Sequence, residues 1–358
     1  MIFPLKKRIL FIAPNQSSFV RNDIKILSEK SELHISILDW DSKWKIPLNL
    51  LTQILTLAFL KWRFDLVFIS FGGLWSALPT LFGKLYNVPV LIILNGTDVA
   101  SLPSIPYGSL RKKIVRWACW ISYKYATRLL PVSETLIKVH NEYNGIVDAD
   151  QGLLHFFPDI NTPYSVVHNG LDISFWTQEN IGGVRNKNRI TAVFSNHQFQ
   201  LKGGDLILQV ARDLPYAEFI ILGSTPPPKT SLPENVVFLG KVSQERMREL
   251  FFSSSIHLQL SIFEGFGMSL CEAMLCGCIP VVSAVNMLPS IAGPEGFVLG
   301  KRDPIALKEL LDKILDSEIT QDQRTFNRQW ISNHYSLEER KKNLNTIISG
   351  THVSNHSR

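Results

Sequence analysis

The fold of the C-terminal half is decided by the stretch Ser261-Ile-Phe-Glu264-Gly265-Phe-Gly267-Met-Ser-Leu-Cys-Glu272-Ala-Met-Leu-Cys-Gly277-Cys-Ile-Pro280-Val281. An apolar run ends just before it, a glycine-rich turn follows, and a helical pattern begins near Met268, which predicts a strand, a turn and a helix. The two glycines let backbone N–H groups approach a ligand closely. A helix start adds unpaired donors and the positive end of a dipole, so the turn is typical of a phosphate site.

Two carboxylates flank this turn. Glu264 lies at the carboxyl end of the strand, and Glu272 follows eight residues later, about one turn into the helix. Carboxylates at these places can accept hydrogen bonds from the hydroxyl groups of a sugar and of a ribose, while the amides of the turn hold phosphates between them. Acidic residues are also favoured near helix starts for structural reasons. The complete pattern of glutamates, glycines and Pro-Val favours a binding site over that explanation.

Length and composition indicate a globular protein of two domains. The chain has 358 residues, of which 45% are apolar and 19% charged, and its net charge is +6. These values exclude a disordered chain, and the 21 glycines and 19 prolines exclude collagen-like and low-complexity sequences. Four cysteines are too few for a disulfide scaffold, and the spacing of Cys271, Cys276 and Cys278 fits no zinc module, so we interpret them as buried thiols in a reducing compartment.

Short apolar runs alternate with helical patterns on both sides of the glycine-rich turn. Strands are predicted at 9–13, 34–38, 66–70, 90–94, 128–131, 165–167, 190–194, 218–222, 236–239, 256–260 and 280–282. Helices are predicted at 23–30, 50–61, 109–125, 204–212, 244–252, 268–276 and 304–315. The alternation predicts an α/β fold with two doubly wound, Rossmann-like parallel sheets, whose ligands bind at the carboxyl ends of the strands.

The domain boundaries follow from where this alternation pauses. Residues 1–168 form the predicted N-terminal domain, and 169–188, which hold few apolar positions, form a linker. Residues 189–335 form the C-terminal domain. Residues 336–350 have a helical pattern, and 351–358 read as a frayed tail.

The Glu264 to Glu272 element resembles that of retaining GT-B glycosyltransferases, specifically glycosyltransferase family 4. Other segments occur in the family's order, namely Val167-His-Asn-Gly-Leu-Asp172, Leu201-Lys202-Gly-Gly204, Leu239-Gly-Lys-Val-Ser243 and Asp303-Pro-Ile-Ala-Leu307. The resemblance is strong from 165 to 315 and weaker before it. It implies two GT-B domains facing across a cleft, with the nucleotide-sugar in the second, the acceptor at the first, and a final helix that returns to the first.

The resemblance also implies residue roles. Glu264 would hydrogen-bond the transferred sugar, and Glu272 would bind the ribose. The turn of Gly265, Phe266 and Gly267 would hold the diphosphate. Because the nucleotide-sugar is a substrate, no cofactor is expected. We recognise no Asp-x-Asp metal motif, so we assign no metal ligand and expect no essential divalent ion.

Lys202 would offset the charge of the leaving diphosphate, although a surface lysine in a loop is the ordinary alternative. The family places an arginine about five residues before this lysine. This chain has none there, and His197 is the donor that could replace it.

Two further positions differ from the family pattern. Asn95, in Asn95-Gly-Thr-Asp98, stands where a histidine usually lies near the reacting sugar, and an amide can donate and accept but cannot titrate. The loop after the first strand has Ser17-Ser18 in place of Gly-Gly. We count Asn95 as a catalytic candidate and Ser18 as a nucleotide-binding candidate, while a plain turn and helix capping explain them equally well.

Cations and tryptophans occur together in segments 43–63 and 109–125. Such residues suit the anionic interface of a bilayer, and an ordinary amphipathic helix explains each segment taken alone. Because both belong to the acceptor half, we predict a lipid-linked or other membrane-borne acceptor and peripheral membrane contact. No nucleic-acid motif accompanies the basic residues, so no nucleic-acid partner is expected.

No membrane span is expected. The apolar run at 9–14 is too short for a signal peptide, and the stretch 48–60 is interrupted by polar residues and too short to cross a bilayer. We therefore expect a cytoplasmic protein, at the inner face of the membrane if its acceptor is there.

The function that we predict is retaining, metal-independent transfer of a hexosyl-type sugar from a nucleotide-sugar to a glycan or lipid-linked acceptor, in cell-surface polysaccharide biosynthesis. Two alternatives stay open. One is another GT-B enzyme, such as a nucleotide-sugar epimerase or a phosphorylase. The other is a non-catalytic nucleotide-sugar-binding or scaffold protein, which Asn95 and the missing arginine near His197 suggest.

Overall fold

A computed structural model describes residues 6–40, 42–60, 63–177, 184–228 and 230–351. The chain divides into two compact units. The first unit comprises Met1–Val139, Asp150–Gly170 and Glu338–Arg358, and the second comprises His140–Ala149 and Leu171–Leu337. The chain therefore passes from one unit to the other four times.

The strands and helices alternate along most of the chain. The strands are β1 (Lys7–Ala13), β2 (Ser31–Ile37), β3 (Leu66–Ser70), β4 (Val90–Leu94), β5 (Arg128–Pro131), β6 (Val139–His140), β7 (Asp150–Gln151), β8 (Asn186–Val193), β9 (Glu218–Leu222), β10 (Val236–Phe238), β11 (Ser254–Gln259), β12 (Ile279–Ser283) and β13 (Phe297–Leu299). The α-helices are α1 (Ser18–Ser28), α2 (Ile46–Leu60), α3 (Leu74–Tyr86), α4 (Lys113–Tyr125), α5 (Leu153–Phe156), α6 (Ile173–Thr177), α7 (Gly204–Asp213), α8 (Gln244–Phe252), α9 (Met268–Leu275), α10 (Leu288–Ala292), α11 (Pro304–Asp316), α12 (Gln321–His334) and α13 (Leu337–Gly350).

The first unit is built on a parallel sheet with the strand order β2-β1-β3-β4-β5. Every residue of β3 and β4 is buried, which explains why these strands are continuous apolar runs rather than alternating ones. The strand order reverses between β1 and β3. In open sheets of this kind, ligands bind in the crevice at that reversal, beyond the carboxyl ends of the strands.

The second unit contains a parallel sheet with the order β10-β9-β8-β11-β12-β13. Here the order reverses between β8 and β11. The segment with Lys202 follows β8, and the segment with Glu264 follows β11. Topology alone thus brings these two segments to the place where a doubly wound sheet binds its ligand.

The last helix, α13, belongs to the first unit. Its Arg340 forms two hydrogen bonds with the carboxylate of Asp23, at 2.6 and 2.8 Å, and both side chains are only 1% exposed. Arg340 also donates to the carbonyl oxygens of Val167 and His168, at 3.0 and 2.7 Å. These bonds satisfy a guanidinium that burial would otherwise make costly.

The structure differs from the expected boundaries in several places. Residues 165–167 form no strand, although Ser165 and Val167 still donate backbone hydrogen bonds to the strand β5. The expected linker at 169–188 contains α6 and the start of β8, and its residues 178–183 lie outside the described residues. Residues 140–149 group with the second unit. Of the expected tail at 351–358, only Thr351 is described.

All four cysteines are free and buried, as the sequence predicts. Burial raises the pKa of each thiol above its ordinary value. Within the described residues, no helix is both long enough and apolar enough to cross a bilayer.

Candidate functional site

The centre of the site is an ion pair between Lys202 and Glu264. The ammonium of Lys202 donates to Oε2 of Glu264, and the side chain of each residue is 14% exposed. Lys202 lies between β8 and α7, and Glu264 lies between β11 and α9. The two residues that sequence order singled out thus meet at the strand reversal of the second sheet.

Two uncharged donors share the same carboxylate oxygen. The amide Nε2 of Gln259 donates to Oε2 of Glu264 at 2.7 Å, and the hydroxyl of Ser261 donates to it at 3.2 Å. Among the described residues, Oε1 of Glu264 receives no hydrogen bond. One oxygen of Glu264 is therefore saturated by the protein, while the other keeps its acceptor capacity for a ligand.

The backbone of Glu264 is also held. Its N–H donates to Oδ1 of Asn286 at 3.2 Å. Asn286 has a φ of +47°, a left-handed conformation that asparagine tolerates better than most residues. Glu264 is thus fixed at both its main chain and its side chain.

The turn before α9 requires glycine at position 267. Gly267 has a φ of +111°, and a Cβ atom there would lie 3.0 Å from Cδ2 of Leu288. Phe266 is only 3% exposed, and its ring packs edge-on against Tyr335 at a centroid distance of 5.4 Å. The side chain of Phe266 therefore packs inward and stabilises the turn. The groups that Gly265, Phe266 and Gly267 can present to an anion at this helix start are their backbone N–H groups.

Glu272 lies on α9 and is 5% exposed. Burial raises the pKa of its carboxyl group to about 8. No side chain or main-chain group in the described residues hydrogen-bonds that carboxyl group. A buried acid without a hydrogen-bond partner is a candidate ligand-binding group, and its raised pKa favours the uncharged form near neutral pH.

His197 lies on a short 3₁₀ helix after β8 and is exposed. Its ring nitrogens lie 3.1 and 3.3 Å from the hydroxyl of Ser195. It is close in sequence to Lys202, whose backbone N–H bonds the carbonyl of Gln198 at 2.8 Å. His197 thus lies at the protein surface, in the same segment after β8 that contains Lys202.

Asn95 belongs to the first unit, directly after β4. Its Nδ2 donates to the hydroxyl of Ser70 at 3.3 Å, while its Oδ1 is buried without a hydrogen-bond partner. The loop is shaped by Asp98, whose carboxylate accepts from the backbone N–H groups of Gly72, Asn95 and Gly96 at 2.8–3.0 Å. Burial raises the pKa of Asp98, and these hydrogen bonds oppose the rise.

Ser18 is the first residue of α1, after β1. Ser17 occupies the cap position, yet its side chain makes no capping hydrogen bond, and its hydroxyl is buried without a partner. The capping explanation for this serine pair is therefore wrong. The unpaired hydroxyl is that of Ser17, whereas Ser18 is the residue of this pair that was expected to bind the nucleotide.

Sequence reasoning missed three polar residues around Glu264, namely Gln259, Asn286 and Asn141. Gln259 carries a signal, because it is a polar residue in a strand that is buried along its whole length. A buried amide must be hydrogen-bonded, so it marks a network. Asn141 and Asn286 carry no such signal, since turn residues of this type are common.

The expectation that no divalent ion is essential assumed that the chain lacks an Asp-x-Asp motif, and this premise is wrong. Asp39-Trp-Asp41 and Asp148-Ala-Asp150 both have that spacing. Asp41 lies outside the described residues. Within those that are described, no group of three or more His, Cys, Asp or Glu side chains is placed to hold a metal ion.

Comparison with known proteins shows which proteins this chain is similar to. Residues 177–335 match the model of glycosyl transferases group 1. A phosphatidylinositol N-acetylglucosaminyltransferase subunit from Arabidopsis thaliana is 28% identical over 138 residues, which cover 35% of this chain and 31% of that protein. N-acetyl-alpha-D-glucosaminyl L-malate synthase of Bacillus anthracis is 25% identical over 248 residues, which cover 65% of this chain and 60% of that protein. The matched stretches thus span less than two thirds of either relative.

The solved structure of Anabaena Alr3699/HepE in complex with UDP and glucose superposes with a TM-score of 0.70 at 14% identity, over 96% of this chain and 100% of that one. This likeness confirms the predicted GT-B fold of two doubly wound α/β domains. The sequence resemblance to GT-B glycosyltransferases is confirmed as well. Over residues 177–335, the chain is similar to the glycosyl transferases group 1 family.

Proposed function

We propose that this protein transfers a sugar from a nucleotide-sugar to a glycan or lipid-linked acceptor, with retention of anomeric configuration. The observation that carries the proposal is the meeting of Lys202 and Glu264 at the strand reversal of the second sheet. The start of α9 follows directly, and the same helix carries the unpartnered Glu272. Cation, helix start and two carboxyl groups together match the parts of a nucleoside diphosphate sugar.

The donor's diphosphate would bind the amides at the start of α9, where unpaired N–H groups and the helix dipole favour anions. Lys202 would then exchange part of its interaction with Glu264 for one with the leaving phosphate. Charge on that phosphate grows as the glycosidic bond breaks, so a fixed cation stabilises the transition state more than the bound donor. Glu264 would accept a hydroxyl of the transferred sugar at Oε1, and Glu272 would bind the ribose.

The remaining candidates have roles that suit their surroundings. The unpaired Oδ1 of Asn95 can accept a hydrogen bond from a hydroxyl group but cannot act as a base. His197 would offer a donor to the diphosphate, and Ser18 would belong to the nucleotide-facing loop of the first unit. The nucleotide-sugar is the substrate, and the proposal includes no cofactor and no metal.

A membrane-borne acceptor is supported by the outward face of α2. The side chains of Leu48, Leu51, Leu55 and Phe59 are 46–79% exposed and follow a helical spacing of three to four residues. Trp44, in the 3₁₀ turn just before α2, continues the row and is 94% exposed. We call these five side chains the apolar row.

The inward face of the same helix is partly polar. Asn49 and Gln53 are 7% and 4% exposed, and their amides donate to the carbonyl oxygens of Asp39 and Trp75 at 2.7 and 2.8 Å. On the same inward face, the apolar side chain of Leu57 is also buried. A helix that buries amides and exposes leucines favours an apolar partner outside the fold.

Charge favours a lipid surface as that partner. The segment 43–60 contains no acidic residue, and Lys43, Lys45 and Arg63 are exposed at its two ends. Tryptophan and cations around an apolar row are typical of a helix lying in the headgroup region of an anionic bilayer. We therefore propose that α2 lies in the membrane interface, with the protein on the cytoplasmic face.

The second segment, 109–125, fits this role less well. In α4, Arg116 stacks over the rings of Phe156 and Phe157, and Lys124 pairs with Asp159 at 3.3 Å. Its exposed apolar residues are Ile114 and Trp117, at 72% and 62%. We propose that α4 contributes cations at the rim and that α2 provides the insertion.

Co-sedimentation with vesicles tests the membrane proposal. Phosphatidylglycerol vesicles should retain the protein at low salt, and high salt should weaken but not abolish binding, because the apolar row is not screened. Phe59→Ser should lower partitioning at least about tenfold, since burying one phenylalanine contributes about 1.5–3 kcal/mol. Ile305→Ser, which changes a residue that is 66% exposed in the second unit, is the matched control. If the parent protein and both variants bind the vesicles equally and negligibly, the proposal is contradicted. If the apolar row instead binds a second copy of this chain, the protein will dimerise in solution.

A donor screen tests the activity. Unfolding temperatures with UDP, GDP, ADP and their glucose, mannose and N-acetylglucosamine derivatives identify the nucleotide, and transfer to lipid-linked saccharides is then measured with it. Glu264→Gln should abolish transfer, while Glu234→Gln, at an exposed position of the second unit, should not. Conversion of the nucleotide-sugar without an acceptor would favour an epimerase. Nucleotide binding without transfer or donor hydrolysis would favour a scaffold.

A further inference from the structure

Gln259 is a deeply buried uncharged side chain that contacts Glu264. It is the last residue of β11 and is 2% exposed. The residues directly before and after it in sequence, Leu258 and Leu260, are buried apolar residues of the core. Placing an amide here is unfavourable unless each of its donors and acceptors is used.

Each polar atom of this amide has a partner. Nε2 has two hydrogens, and it lies 2.7 Å from Oε2 of Glu264 and 3.1 Å from the hydroxyl of Ser261. Oε1 accepts from the hydroxyl of Ser269 at 2.9 Å. Ser269 is the second residue of α9. Gln259 therefore joins the carboxylate of Glu264 to the first turn of the helix that carries Glu272.

The orientation of the amide is fixed by this arrangement. If the amide were reversed, its oxygen would lie 2.7 Å from a carboxylate oxygen, and two acceptors would repel each other. The nitrogen therefore faces Glu264, and Oε2 is occupied from the protein side. This leaves Oε1 of Glu264 as the acceptor for a sugar hydroxyl.

We propose that Gln259 is a positioning residue for sugar transfer, which fixes the rotamer of Glu264 and ties it to α9. This inference rests on the proposed function. Gln259 itself touches no substrate. It acts by keeping one oxygen of Glu264 saturated and by keeping the sugar-binding and ribose-binding carboxyl groups at a constant separation.

Gln259→Met tests the proposal, because methionine has a similar volume and removes every hydrogen bond of the amide. The turnover number should fall at least about tenfold, as expected for loss of one hydrogen bond to a charged group. The donor KM should rise by no more than about tenfold, because the contact of the sugar with Glu264 weakens while the nucleotide contacts remain. Thr191→Val is the matched control, because it removes a buried hydroxyl from the neighbouring strand β8 without touching Glu264. An unchanged turnover number in a folded Gln259→Met variant would overturn the proposal.

Gln259→Glu gives a second readout that a packing role would not produce. A protonated carboxyl group can still donate to Glu264 and accept from Ser269, whereas an ionised one faces Glu264 with like charge. Transfer by this variant should be near that of the parent protein at low pH and should fall steeply as pH rises, while the parent protein shows no such loss over the same range. Identical pH profiles for the two proteins would count against the proposal.

A binding measurement separates this proposal from the proposed function. Calorimetry with UDP and UDP-glucose, or with the nucleotide pair that the donor screen selects, gives the affinity added by the sugar. In Gln259→Met, the affinity added by the sugar should fall about tenfold, while the affinity for the nucleotide should stay unchanged. If the parent protein binds donors but transfers nothing, the activity proposal fails while this ratio still decides the role of Gln259. An unchanged ratio would reject that role.

Discussion

Asn141 and Asn286 hold each other by two reciprocal hydrogen bonds across 145 positions of sequence. Nδ2 of Asn141 donates to Oδ1 of Asn286 at 3.2 Å, and the backbone N–H of Asn286 donates to Oδ1 of Asn141 at 3.0 Å. Oδ1 of Asn286 also accepts the backbone N–H of Glu264. The segment 140–149, which leaves the first unit to join the second, thus supports the loop of the central carboxylate.

Asn141→Ala should therefore lower the turnover number about tenfold while leaving nucleotide affinity unchanged, because it removes the support of Asn286 but no ligand contact. Steady-state kinetics and calorimetry provide the two measurements. Asn144→Ala, in the same segment, is the control. A variant with parent-like turnover would show that Asn286 holds the loop of Glu264 without this partner.

Lys202→Ala should reduce turnover by roughly 100- to 1,000-fold, the cost of removing one fixed group that stabilises developing negative charge. Donor affinity should fall less, because charge on the phosphate grows towards the transition state. Lys241→Ala, which changes an exposed lysine of the same unit, should have no effect. A loss of turnover smaller than threefold would remove Lys202 from its role as the phosphate cation.

Glu272 predicts a pH dependence of stability. Burial raises its pKa from 4.5 to about 8 in the folded protein, so the folded state binds this proton more tightly than the unfolded state. The resulting stabilisation is fully present below about pH 4.5 and is lost as pH rises through about 8. Glu272→Gln lacks this dependence and should gain stability relative to the parent protein as pH rises. Denaturant unfolding at several pH values checks this, and parallel curves for the two proteins would contradict it.

The same carboxyl group predicts how nucleotide affinity depends on pH. Two ribose hydroxyls donate best to an ionised carboxylate, so binding should release a proton and should tighten as pH rises towards 8. Glu272→Gln should bind nucleotide more weakly by about 1.5–3 kcal/mol above that pH and should show no such trend. Calorimetry in buffers of different ionisation enthalpy measures the released proton. Unchanged affinity in the folded variant would exclude the ribose contact.

Arg340→Leu should destabilise the protein by about 3–5 kcal/mol, because it leaves the carboxylate of Asp23 buried without its partner. The double variant Asp23→Leu/Arg340→Leu should regain much of that loss, since apolar pairs can replace buried ion pairs. Denaturant midpoints of the three variants measure the coupling. Purely additive effects would show that the two side chains do not depend on each other.

Much of the fold was predictable because the central strands are buried on both faces. The strands coincide with the predicted apolar runs at Leu66–Ser70, Val90–Leu94, Arg128–Pro131 and Glu218–Leu222. The helix α3 was missed because it contains Pro79. The helix α12 was missed because two of its three buried residues, Arg324 and Asn327, are polar, so it shows no apolar stripe.

The site was predictable to the extent that it follows strand order. Lys202 and Glu264 each follow a strand beside the reversal of the sheet, so sequence order brings them together. The hydrogen bonds of Gln259 depend on the direction of one buried side chain, and those of Asn141 depend on a contact between distant segments. Neither follows from local pattern.

The placement of α13 has a consequence for the order in which the protein is made. Synthesis delivers every segment of the second unit by Leu337, before α13 has been translated. Until then the sheet of the first unit lacks Arg340, and Asp23 has no partner for its charge. Domains commonly complete folding from the N-terminus onwards during synthesis. In this chain the first unit includes a helix whose residues follow the whole second unit in sequence, so the contact between Asp23 and Arg340 cannot form before those residues have been translated.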